Sequence, residues 1–114
     1  MKISKTSVNS EAGLYKNDSF IPWNDLINLR VIVVSHNILT YASHTLCGTL
    51  VIDSSVKEIG DGAFINCDEL ETLVFSKGLT SVGWGAFSKC INLEKILIPD
   101  GCKIQRMELI PTKD

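Results

Sequence analysis

At 114 residues, with 45% hydrophobic and 21% charged side chains, the chain has the size and composition of one globular domain rather than of a disordered segment. Its formal net charge of -2, with eleven Lys and Arg scattered along the chain, offers no basic field to phosphates, so nucleic acid is a poor partner. The longest aliphatic run, Val31 to Val34, falls far short of the ~20 residues that cross a bilayer, which excludes a membrane-spanning helix.

The opening stretch, MKISKTSVNSEAG, has a basic residue but no apolar run of the about 7 to 15 residues that a secretory leader needs, so the expected location is the cytoplasm. Residues 1–28 are read as an N-terminal arm and cap, the first eighteen or so loosely attached. Within them FIPWNDLINL places Pro22 at the start of a helix and Trp23, Leu26 and Ile27 on one helical face, a means of covering the end of an apolar stack.

From Leu29 onward the chain repeats itself. At a spacing of twenty-three, Leu50, Leu73 and Ile96 correspond, as do Ile52, Phe75 and Ile98, and Val56, Leu79 and Cys102. Two full copies also share Ile59 with Val82, Gly60 with Gly83, Gly62 with Gly85, Ala63-Phe64 with Ala86-Phe87, Cys67 with Cys90, and Leu70 with Leu93. A degenerate copy, NLRVIVVSHNILTYASHTLCG, precedes them and lacks about five residues before Leu50. Residues 29–103 thus hold one degenerate, two full and one partial unit, near the minimum at which stacked repeats bury a continuous core. IQRMELIP, within residues 104–114, is read as the C-terminal cap, and the whole as one domain.

Alternation in TLVIDS, TLVFSK and KILIPD signals strands, with Leu50/Ile52, Leu73/Phe75 and Ile96/Ile98 pointing inward. Each coil is expected to turn near Gly60 or Gly83, where the missing Cβ permits positive φ. GAFINC and GAFSKC suit one or two turns on the far side. The segments LVIDSSVKEIGDGAFINCDEL and LVFSKGLTSVGWGAFSKCINL, with ILIPDG opening another copy, resemble the BspA-like (bacterial surface antigen type) leucine-rich repeat. The expected fold is an α/β repeat: a short leucine-rich-repeat solenoid with a parallel concave sheet and short helical or irregular convex segments.

Little chemistry stands out. Gly60-Asp61-Gly62 and Gly83-Trp84-Gly85 begin like dinucleotide-binding loops, but Ile65 and Ser88 stand where the third glycine belongs, so they are read as repeat turns. His36, His44 and Cys47 complete no four-ligand metal pattern. Stacking of equivalent positions places Cys47, Cys67 and Cys90 in an inner row beside Phe64 and Phe87, with Cys102 in the slot of Val56 and Leu79; reduced structural thiols are expected, a disulfide being the alternative. Neither catalysis nor a cofactor is expected.

What remains is surface. The residue between each inward pair should point out from the concave sheet, giving the row Val33, Val51, Val74 and Leu97, rimmed by Thr49, Thr72 and Lys95 on one side and by Ser35, Asp53, Ser76 and Pro99 on the other. Apolar stripes with polar rims mark interaction sites, and this one is read as binding a protein partner, with a homodimer or intramolecular cover as alternatives. Trp84, opposite Asp61 of the preceding copy, is the second candidate. The resemblance implies recognition or adhesion. The function expected is a non-enzymatic protein-interaction module, the alternatives being a small intracellular stoichiometric inhibitor of an enzyme such as a nuclease, of the kind a phage encodes, and a relative or fragment of a cell-surface adhesin.

Overall fold

The computed structural model describes residues 2–6, as backbone only, and residues 11–102. Their ten strands form two sheets. Taking β1 as Lys2–Thr6, β2 as Gly13–Lys16, β3 as Ser19–Pro22, β6 as Gly48–Val51, β8 as Leu70–Val74 and β10 as Lys95–Pro99, the first sheet runs β1-β10-β8-β6-β2-β3. The second has β4 (Ile32–Ser35), β5 (Ile38–Ala42), β7 (Glu58–Ile59) and β9 (Ser81–Val82), in the order β4-β5-β7-β9.

The repeat sets the register. Val51 pairs with Val74 and Val74 with Leu97, all strands parallel, and Glu58 pairs with Ser81 in the other sheet. Between the strands the coils are joined by bonds such as Ile52 N–H to the Val74 carbonyl (2.9 Å), Gly83 N–H to Ile59 (2.7 Å) and Phe64 N–H to Ala86 (2.8 Å). Leu50, Leu73 and Ile96 are fully buried, as expected, with Ile52, Phe75 and Ile98 beside them. Phe64 and Phe87 pack with ring centroids 5.6 Å apart, and Phe75 and Phe87 at 6.2 Å, so aromatic mass from two coils fills the space between the sheets.

The far side of each coil consists of turns, residues 61–66 and 84–89, rather than helix. The left-handed positions within them are Gly62 and Gly85 (φ 62° and 59°), then Asn66 and Lys89 (φ 62° and 60°). Gly60 and Gly83 were expected to supply positive φ, and neither does. Gly83 is required for a different reason: a Cβ there would collide with the Asp61 carboxylate and with the backbone of residues 60 and 61 in the coil before it.

The first sheet is mixed, where a purely parallel one was expected, because the N-terminal segment supplies both its edges. β2 pairs antiparallel with β6 and with β3 through a two-residue turn at Asn17-Asp18, and β1 pairs parallel with β10 at the opposite edge. Of the stretch expected to be a loose arm, residues 2–6 and 13–16 are therefore part of the sheet. The helix α1 (Trp23–Asn28) follows directly, with Pro22 as its N-cap and Trp23 and Leu26 buried. It ends in a Schellman arrangement, in which Arg30 takes φ 60° and donates to the Ile27 carbonyl while Val31 N–H donates to Leu26. The expected C-terminal cap over residues 104–114 lies outside the described residues. Among the described residues no helix is long and apolar enough to cross a membrane.

Candidate functional site

The row expected on the open face is neither complete nor open. Val51, Val74 and Leu97 do lie side by side across β6, β8 and β10. Val51 and Val74 are only 6% and 4% exposed, however, and Leu97 is half-buried. Beyond Val51 the row continues into Gly13 of β2, over which the Phe20 ring lies, itself packed on Tyr15 at 4.6 Å. Val33 is not in the row at all. It sits in β4 of the second sheet, 39% exposed, because His36 and Asn37 both take left-handed φ (54° and 65°) and turn the chain back into an antiparallel hairpin with β5. A two-residue turn cannot serve a parallel crossover, so the degenerate copy does not reproduce its neighbours' strand.

The rim residues are also largely engaged. The Asp53 carboxylate accepts from the Ser55 N–H (3.0 Å) and hydroxyl, holding its own turn. Buried Ser76 donates to the Val56 carbonyl at 2.9 Å, and Pro99 is buried. Thr49 and Thr72 are half-buried, while Lys95 and Ser35 are exposed. A shallow cleft of about 240 Å³ opens at the C-terminal ends of these strands between Ala12, Val51, Val74, Lys77 and Pro99.

Trp84 behaves differently from all of these. It is 86% exposed, yet its backbone is held on both sides: its N–H donates to Asp61 Oδ1 at 2.8 Å and its carbonyl accepts from Gly62 N–H at 2.9 Å. The indole thus projects from a fixed turn. Two further exposed aliphatic residues lie on the same connections, Ile91 at 78% and Ile65 on the preceding coil. Both escaped the sequence reading, although a signal was present: Asp68 and Ser88 occupy their places in the other copy, the same polar-for-apolar exchange that singled out Trp84 against Asp61.

The thiols tie coil to coil. Cys90 donates to the Phe64 carbonyl (3.0 Å), Cys67 reaches the Ala42 and Ser43 carbonyls (3.5 Å each), and Cys102 donates to Leu79 (3.4 Å) from the slot it was expected to share with Val56. Interaction with the neighbouring Cys90 side chain, together with burial, raises the Cys67 thiol above its ordinary range, and the Cys67 side chain in turn lowers Cys90. Cys47 is not in their row. The register sets Gly48 against Leu70, which leaves Cys47 at the level of Glu69, in a groove of about 300 Å³ with Glu71, Asn92 and Glu94. The shortened first copy is the reason, since it brings Ala42 and Ser43, rather than Cys47, against Cys67.

Against known proteins, the family model of the BspA type leucine rich repeat region (6 copies) matches residues 27–108. No curated protein and no solved structure matches the chain.

Proposed function

The chain belongs to the BspA type leucine-rich-repeat family, whose repeats generally mediate protein–protein interaction, and we propose that this member is a non-enzymatic module that binds a protein partner through the edge bearing Trp84. In this reading the stacked coils are a short solenoid that serves as a rigid frame. The carrying observation is that the fold has no need of tryptophan at this position. Asp61 fills the equivalent place one coil earlier on a turn with the same left-handed positions, so packing does not call for the indole, and the indole remains 86% exposed. A large aromatic group on a pinned backbone loses little conformational freedom on binding, which is why such residues dominate interface energies. Ile65 and Ile91 extend the apolar surface of the same connections.

Trp84→Ala should leave the melting temperature unchanged and weaken partner binding by at least about 2 kcal/mol, roughly 30-fold, measured by capture with wild type and variant in parallel and then by titration of the purified partner. Undiminished affinity in Trp84→Ala would remove the proposal. The partner's nature separates the finer readings: one-to-one loss of a captured enzyme's activity supports a stoichiometric inhibitor, a cell-surface ligand supports adhesion, and a wild-type dimer that the substitution makes monomeric supports self-association.

A further inference from the structure

Two of the four cysteines are placed for a reaction with each other. Cys67 and Cys90 occupy the same position in successive coils. The backbones on either side are held at hydrogen-bonding distance, by Asn66 N–H to the Ser88 carbonyl (2.9 Å) before them and by the β8–β10 pairing after them. Adjacent hydrogen-bonded segments lie about 4.7 to 4.9 Å apart, inside the roughly 4.4 to 6.8 Å between Cα atoms that a disulfide spans. The Cys90 thiol is directed onto the coil that carries Cys67, 3.0 Å from the carbonyl of Phe64, three residues before it. We infer that Cys67 and Cys90 are a modification site, closing to an inter-coil disulfide when the protein meets a hydroperoxide.

The order of events follows from access. Cys90 is half-buried and Cys67 fully buried, so the oxidant meets Cys90 first. The Cys90 sulfur attacks the peroxide O–O bond, forming a sulfenic acid and releasing an alcohol, or water where the oxidant is hydrogen peroxide. The Cys67 sulfur then attacks the Cys90 sulfur, the S–O bond breaks, and hydroxide leaves with the Cys67 proton as water. Two thiols give up two electrons and the peroxide takes them. The rest of the coil is prepared for the loss of both S–H donors: the Phe64 carbonyl keeps the Cys67 N–H at 3.1 Å, and the Ser43 carbonyl keeps the Leu46 N–H at 3.1 Å. The other cysteines are set apart, Cys47 beside Glu69 and Glu71 and Cys102 against the Leu79 carbonyl.

The test treats the reduced full-length protein with hydrogen peroxide and follows intact mass, the count of free thiols after denaturation, and the cross-linked peptides. The expected result is a mass lower by two hydrogens, a fall from four free thiols to two, and a single link between the peptides of Cys67 and Cys90. Cys67→Ser should convert the outcome to over-oxidation or adduct formation at Cys90, and Cys90→Ala should leave Cys67 reduced. Retention of all four thiols, gain of two oxygens on wild-type Cys90 with no link, or a link through Cys47 or Cys102 would overturn the inference. Because the wild-type product is itself the readout, a variant that folds poorly does not decide the question.

Discussion

Residues 48–102 and residues 11–47 both feed strands into the two sheets, but by different means. The first region does so by recurrence: each coil lays its strand against the equivalent residues of the one before, and even the left-handed turn positions recur twenty-three residues apart, Gly62 with Gly85 and Asn66 with Lys89. The second does so by two tight hairpins, turning at Asn17-Asp18 and at His36-Asn37, and a short helix. A sequence period dictates pairing only where a full unit is present to be stacked. Where two residues separate two strands, turn geometry decides, and the strands become antiparallel whatever their sequences resemble.

Val33 and Val74 make the sharpest test, because alignment of the degenerate copy with the full ones gives them one role and the structure gives them two. Val74→Asp would bury a carboxylate among β6, β8 and β10 at a position 4% exposed, and should cost about 3 to 5 kcal/mol in urea unfolding. Val33→Asp, on the second sheet and 39% exposed, should stay within about 0.5 kcal/mol of wild type. Equal effects at both positions would mean that Val74 is not buried in the first sheet as described.

Gly13 tests whether the hairpin region belongs to the same cooperative unit. A Cβ at Gly13 would strike the Ile21 carbonyl and come within 2.6 Å of the Phe20 ring, at a φ of 149° that side chains rarely adopt. Gly13→Ala should therefore lower stability by about 1 to 3 kcal/mol, as other overpacked sites do, and should shift the whole unfolding transition. A separate early transition, with the repeat region melting as in wild type, would show that β2 and β3 are an appendage after all.

How much was legible follows the same division. The inward pairs, the stacking of Cys102 with Val56 and the exposure of Trp84 could all be read from the spacing, because each depends on one copy lying against another. The misplacement of Val33 and Cys47 came from the degenerate copy, whose missing residues change which side chains meet. The burial of Val51 and Val74 could not be read from strand alternation, which tells a residue's face but not what lies over that face. Ile65 and Ile91 were legible in principle, by comparing copies for apolar residues where the other copy is polar.

The smallest expected effect concerns the one place where the two full copies differ in backbone comfort. Asn66 and Lys89 close equivalent turns at φ 62° and 60°, a conformation that asparagine tolerates and most other L-residues adopt at a cost of about 1 kcal/mol. Lys89 is exposed, so exchanging its side chain disturbs no packing. Lys89→Asn should then raise stability by about 0.5 to 1 kcal/mol, visible as a few degrees in thermal melting. The reciprocal change, Asn66→Lys, should lower it by a similar amount. If only one of the pair moves the melting temperature, the turns match in geometry but not in energy, and the neighbouring coil rather than the local backbone sets the difference.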